Sequence, residues 1–208
     1  LQLNRGNRDP RIDRKNYLET KMIQPKRLTP WMHSMMSKTL IALMPNRISA
    51  CILHAKTVLE TGRSGGYEGS CCWNYNVGNI RALPGQPYVI LGDAYEIDNN
   101  GRRYVPDREQ NRFRAYDCFD DGVRGLVDLL SKTERYQPVW SMLVNNPTPE
   151  NYVILAKQCG YFTAPIEDIC DDNGRITAYG YRKPLVSLYN QFWRKTYGVG
   201  GSMERSLQ

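Results

Sequence analysis

No stretch of the 208-residue sequence approaches the ~18 consecutive apolar residues that a membrane-crossing helix needs; charges or prolines interrupt every long apolar run. A soluble chain is therefore expected. Also missing at Leu1 is the charged-then-apolar segment of an export signal, so such a signal either was removed or is not the route to the target. Histidine is scarce. His33 and His54 do not stand at zinc-finger or metalloprotease spacing, and no Cys-x-x-Cys pair exists. This argues against a structural or catalytic metal, and no cofactor is expected; both histidines read as packed or solvated residues rather than catalysts. No internal repeat is evident. Nor is there the alternation of Arg/Lys with aromatics that marks a nucleic-acid-binding sheet, or a recognisable DNA-reading helix.

Positive charge is present in excess, with 28 Lys and Arg against 21 Asp and Glu and a net charge of +7. Such a balance favours approach to polyanions at low salt, and nucleic acid, anionic lipid and bacterial wall polymers all qualify. Six cysteines, at 51, 71, 72, 118, 159 and 170, occur in a chain larger than the small disulfide frameworks. A mixture of buried thiols with one or two disulfides is expected. The length suits one well-buried core with arms rather than two independent domains. Fourteen tyrosines and four tryptophans supply flat amphipathic faces, which suit sugars and serve equally well in a core.

Along the chain, residues 1–26 are polar and read as an extended basic N-terminal arm, 27–197 as the domain, and 198–208 as a flexible tail. Thr29-Pro30 is a helix-start pair. The helix it opens is expected to reach about Met44, with Met32, Met35, Met36, Leu40 and Leu43 inward. Pro45 and Asn46 break it, and a second helix from near Arg47 carries an apolar stripe of Ile48, Cys51, Ile52, Ala55, Val58 and Leu59 before Gly62 ends it. The glycine-rich 63–69 segment reads as a loop. Over about 85–117 short β-prone runs appear, at 88–91, 94–97, 102–105 and 111–115, with Asn99-Asn100-Gly101 suited to a tight hairpin. This reads as a small antiparallel β lobe. Helices return after Asp117, with Val123, Leu126, Val127 and Leu130 inward and Asp120 or Asp121 favouring the N-terminal dipole. Another starts at Thr148-Pro149 with Tyr152, Leu155, Ala156 and Cys159 inward and stops at Gly160. The last runs from about Lys183 to Tyr197 and buries Leu185, Leu188, Tyr189, Phe192 and Trp193.

Glu60 stands on the last turn of an otherwise apolar helix, where unpaired carbonyls and partial burial both disfavour a negative charge. Those conditions suit the protonated carboxylic acid that glycosidic bond hydrolysis requires at neutral pH. A solvated surface carboxylate is the plain alternative, and its neighbours weigh against that. The strings AKTVLETGRSG, WNYNVGNIRA, FRAYDCFDDGV and LAKQCGYFTAP, in that order over about Asn46 to Ala164, resemble the bacterial and phage endo-β-N-acetylglucosaminidase family of peptidoglycan hydrolases. The flagellar rod-associated hydrolase and several autolysins belong to it.

The resemblance implies an α+β, lysozyme-like fold: a mostly helical domain with a small antiparallel β lobe flanking a substrate groove. It makes Glu60 the match to the family's catalytic glutamate. Asn76-Val77-Gly78-Asn79-Ile80 corresponds, with departures, to the family's Asn-x-Phe-Gly-Ile-Lys segment. Asn76, Gly78 and Asn79 then become candidates for binding sugar, the alternative being a turn that braces the Glu60 helix. Glu96 falls where relatives carry a second acid before an Asn-Gly turn, with Asp98 as rival because the turn here is one residue longer. Such an acid could activate water on the opposite face of the sugar, unless the substrate's own N-acetyl group is the nucleophile. Tyr161 matches the tyrosine of the family's Gly-Tyr-Ala-Thr segment, and either stacks on sugar, donates its hydroxyl to the reacting centre, or packs beneath the cleft. Tyr116 reads as floor. Trp73 either lines the groove or fills the junction between lobes.

The expected activity is cleavage of glycan strands after N-acetylglucosamine, in the bacterial wall or periplasm, by an extracellular or virion-associated protein. A muramidase or lytic transglycosylase could use the same fold and the same glutamate. A non-catalytic structural or wall-binding component of a phage tail or secretion assembly, attached through the terminal arms, is a different class of reading. Nucleic acid as partner has only the charge in its favour.

Overall fold

Asn46 opens the helix around which the fold is arranged. Its Oδ1 accepts from the Ser49 amide at 2.8 Å and its Nδ2 donates to the Leu143 carbonyl at 3.0 Å, so one side chain both caps the helix and ties it to a neighbour. The computed structural model describes residues 22–23, 31–61, 73–90, 96–97, 103–104 and 111–198. Within these, α1 spans Trp31–Leu43 and α2 Arg47–Thr61. A β lobe follows with β1 (Tyr88–Ile90), β2 (Glu96–Ile97), β3 (Arg103–Tyr104) and β4 (Arg112–Arg114). Next come α3 (Phe119–Lys132), a 3-10 turn at Glu134–Tyr136, α4 (Gln137–Asn145) and α5 (Pro149–Gln158). A hairpin of β5 (Ile169–Cys170) and β6 (Ile176–Ala178) precedes α6 (Arg182–Tyr197).

The expected mixture of helices with a small antiparallel β lobe is what the chain forms. β1 pairs with β4, Val89 opposite Phe113, and β2 pairs with β3, Glu96 opposite Tyr104. All four strands fall inside the β-prone runs. The Asn99-Asn100-Gly101 turn, Thr29-Pro30, the 63–69 loop, Cys71 and Cys72, and the tail beyond Gly198 lie outside the described residues. So does most of the N-terminal arm, although Ile23 donates its amide to the Tyr88 carbonyl at 2.9 Å beside β1.

Two expectations about burial need correction. Met35 is 41% exposed while Met36 and Leu40 are buried: α1 packs on one side only, against α2 and α3, and adjacent residues on a helix point about 100° apart. In α2 the buried residues are not a stripe, because Ser49, Ala50, Leu53, His54, Lys56 and Thr57 are buried as well. α1 and α6 both pack on α2, so almost no face of it meets water. The ring of His54 stacks on Phe192 of α6 with centroids 3.9 Å apart.

The start of α5 is as its sequence dictates, with Thr148 Oγ1 accepting from the Asn151 amide at 3.1 Å and Pro149 in the first turn. Gly160, at φ +68°, ends it. Two elements went unread in the sequence. α4 is a short helix behind Pro138 that buries Val139, Met142 and Leu143. The β5–β6 hairpin carried the same kind of signal as the first, Asn173-Gly174 between β-branched residues, with Gly174 at φ +73°. The four described cysteines, Cys51, Cys118, Cys159 and Cys170, are free thiols.

Candidate active site

Glu60 lies on the last turn of α2, partly buried. Its carboxylate does not stand alone: the Tyr181 hydroxyl donates to Oε1 at 2.8 Å. Tyr181 is buried, and its ring lies flat against Phe162, with centroids 3.9 Å apart and planes 6° apart. The β5–β6 excursion is what brings Tyr181 there. At its base the Tyr181 amide donates to the Pro165 carbonyl, the Arg182 amide to Ile166, and the Gly180 amide to Asp168 Oδ1. The chain thus leaves at 165–168, turns, and returns at 180–182 with Tyr181 over Phe162.

Three phenols feel the charge of this carboxylate. Burial pushes Tyr152, Tyr161 and Tyr181 well above the ordinary tyrosine value of 10.0, and the nearby Glu60 charge acts in the same direction on each. All three therefore remain neutral donors at any physiological pH. Tyr152, on α5, is fully buried, and its hydroxyl has no hydrogen-bond partner among the described residues.

The 73–80 segment lies beside the end of α2. Asn74, Tyr75 and Asn79 adopt left-handed backbone with φ of 50°, 57° and 50°, a tight path that asparagine tolerates better than most residues. Asn76 is buried; its Nδ2 donates to the carbonyls of Ile80 and Arg114 at 2.8 and 2.9 Å, and its Oδ1 accepts from the Ile80 amide at 2.8 Å. These bonds stitch the segment to the β lobe. Asn79 Nδ2 donates to the Glu60 carbonyl at 3.1 Å, which satisfies one of the open carbonyls at the end of α2. Gly78 is buried, and its carbonyl accepts from Tyr161 Oη at 3.0 Å and Lys56 Nζ at 3.2 Å.

The structure thus brings together Glu60, Gly78, Asn79 and Tyr161 of the residues singled out in the sequence. Trp73 begins the same segment, partly buried, its carbonyl accepting from the Asn76 amide. Tyr116 is buried against α3, where a Cβ on Gly125 would lie 2.1 Å from its hydroxyl. Glu96 is placed as a strand residue opposite Tyr104; its side chain, and Asp98, lie outside the described residues. Three residues of the cluster went unrecognised in the sequence: Lys56, Tyr181 and, as a neighbour of Glu60, Tyr152. Lys56 could have been found, because it sits four positions before Glu60 on the same helix and therefore on the same face. Nothing local marks Tyr181.

No protein-family model matches the sequence, and no curated protein does. The chain is similar to solved structures of peptidoglycan hydrolases. One is a peptidoglycan hydrolase mutant from Sphingomonas sp. A1, at 24% identity over 76% of this chain and 86% of that one, with a TM-score of 0.48. Another is the catalytic domain of the autolysin Auto from Listeria monocytogenes, at 14% identity over 89% and 96%, with a TM-score of 0.49. A third is a C-terminally truncated glycoside hydrolase domain of FlgJ from Salmonella typhimurium, at 22% identity over 75% and 97%, with a TM-score of 0.40.

Proposed function

We propose that this protein is a peptidoglycan hydrolase with a lysozyme-like domain that cuts glycan strands as an endo-β-N-acetylglucosaminidase, with Glu60 as proton donor. The observation that carries this reading is the carboxyl group at the end of α2, held at one oxygen by Tyr181, its charge felt by phenols that stay protonated. In this proposal the proton to be donated is carried on Oε2, because Oε1 accepts from Tyr181. Tyr181 therefore leaves Oε2 as the oxygen that faces the scissile bond. In the reaction the Oε2 proton passes to the leaving glycosidic oxygen as the C1–O bond breaks, and water adds to C1, so that two sugar ends replace one linkage.

Glu96 is the second carboxylate of this proposal, on the β lobe, deprotonating that water, with Asp98 as the nearest rival in sequence. Attack by the substrate's N-acetyl group would dispense with either. Asn79 and Tyr161 supply the amide and phenol that contact sugar, while Asn76 braces the segment that carries Asn79. No described helix is long and apolar enough to cross a membrane, and the proposed place of action is the bacterial wall.

Mass spectrometry of fragments released from purified sacculi tests activity and bond choice together. New reducing N-acetylglucosamine ends are expected, and anhydro-muramic ends would instead identify a lytic transglycosylase. With Glu60→Gln, release is expected to fall by about 10²- to 10⁴-fold while circular dichroism is unchanged, because the amide oxygen still accepts from Tyr181. If wild-type protein releases nothing from any type of sacculus, the hydrolase reading is wrong.

A further inference from the structure

One helical turn before Glu60 lies a buried cation. Lys56 is 0% exposed, whereas an ammonium is a group that proteins keep in water unless partners hold it. Its Nζ is 2.6 Å from Tyr161 Oη, 3.2 Å from the Gly78 carbonyl, and 4.4 Å from the centre of the Tyr161 ring. Burying an ammonium is unfavourable even after relaxation, and a methionine or leucine would fill the same space without that penalty. Core packing alone therefore does not account for a lysine here.

The bond directions are decided by the chemistry of the partners. An ammonium has three protons and no lone pair, so in the short contact Tyr161 Oη is the acceptor. That leaves the hydroxyl with a single proton to donate. Without substrate the proton goes to the Gly78 carbonyl, 3.0 Å away. The same carbonyl also accepts from Lys56. If the Tyr161 proton turns to a sugar oxygen, the buried carbonyl keeps a donor and is not left unsatisfied, which would otherwise oppose the change.

We propose that Lys56 is a positioning residue for Tyr161: its ammonium anchors the Tyr161 hydroxyl and holds the Gly78 carbonyl, so that the phenol proton is free to be given to substrate. The inference rests on the hydrolase reading of Glu60 and deepens it. Lys56 touches no substrate and acts only through the hydroxyl it orients.

A double-mutant cycle separates this role from a structural one. Rates on soluble uncrosslinked glycan strands would be measured for wild type, Lys56→Met, Tyr161→Phe and the double variant, with thermal unfolding recorded for each. Lys56→Met is expected to lower kcat about tenfold with KM within about twofold, and to change kcat less than about twofold once Tyr161 is already Phe. Lys56→Gln, which retains a side-chain donor, is expected to recover part of kcat, and it replaces Met in the cycle should the Met variant not fold. Equal losses in the two backgrounds would overturn the proposal while leaving the hydrolase reading intact. An inactive wild type would overturn both.

Discussion

The hydroxyl of Tyr181 lies 2.8 Å from Oε1 of Glu60, across a separation of 121 residues in the chain. One residue closes α2 and the other begins α6, and these two helices pack along each other. The carboxyl group therefore sits on the central helix and is oriented from the last one. Because Phe162 backs the Tyr181 ring, the phenol has little freedom to rotate away.

Tyr181→Phe tests that orientation. The stack on Phe162 survives and only the bond to Glu60 is removed, a contact to a carboxylate of the kind worth about 1.5–3 kcal/mol. If about half of that bears on the transition state, kcat on glycan strands falls roughly 3- to 13-fold with KM little changed. An unaltered kcat would show that Glu60 needs no help from Tyr181 in finding its working position.

Gly122 allows α3 to lie against the Asn74–Tyr75 turn, since a Cβ there would come within 1.7 Å of the Tyr75 carbonyl oxygen. The atom it would strike is backbone, which has no rotamer into which to retreat. Gly122→Ala is expected to destabilise the fold by at least about 1–3 kcal/mol, despite the better helix propensity of alanine. Urea unfolding of the variant against wild type measures this, and equal midpoints would mean that the helix and turn can separate freely.

Stability should decline in alkali. Burial pushes the Cys51 thiol from 9.0 to about 11 and the Tyr189 phenol from 10.0 to about 12, and it raises Tyr152, Tyr161 and Tyr181 in the same sense. The unfolded chain releases these protons first, so above about pH 9 the folded state binds more protons than the unfolded one and unfolding becomes easier as pH rises. The effect is absent below pH 9, begins with Cys51, and grows between pH 10 and 12 as the tyrosines join. Melting temperature recorded from pH 7 to 11 should be lower at the alkaline end, and Cys51→Ala should shift the onset upward toward the tyrosine range. A melting temperature that is level from pH 9 to 11 would contradict this.

Much of the fold was legible because the signals are local. Pro45-Asn46 separates α1 from α2, Thr148-Pro149 starts α5, and the β-prone runs over 88–115 read as strands, each within a few residues of the observed bounds. Glu60 stood out as a candidate less for its place at the end of an apolar helix than for the four ordered motifs around it. The errors arose where a neighbour decides. Met35 fits the helical period as well as Met36 does, yet only the second faces α2 and α3. Lys56 reads as an interruption of an apolar helix until Tyr161 and Gly78 are seen to meet it.

By itself the sequence determined most of the helices and the strands of the β lobe, and it offered Glu60 and the 73–80 segment as candidates, because caps, hydrophobic period and turn-forming asparagines act over a few residues. Only the tertiary structure decided which side chains orient that acid. Tyr181 reaches Glu60 because a hairpin leaves and returns between Pro165 and Arg182, and Lys56 meets Tyr161 and the Gly78 carbonyl because the segments that carry them fold back onto α2. A hydrogen bond between residues so far apart in the chain depends on how helices pack, and no local preference encodes that distance.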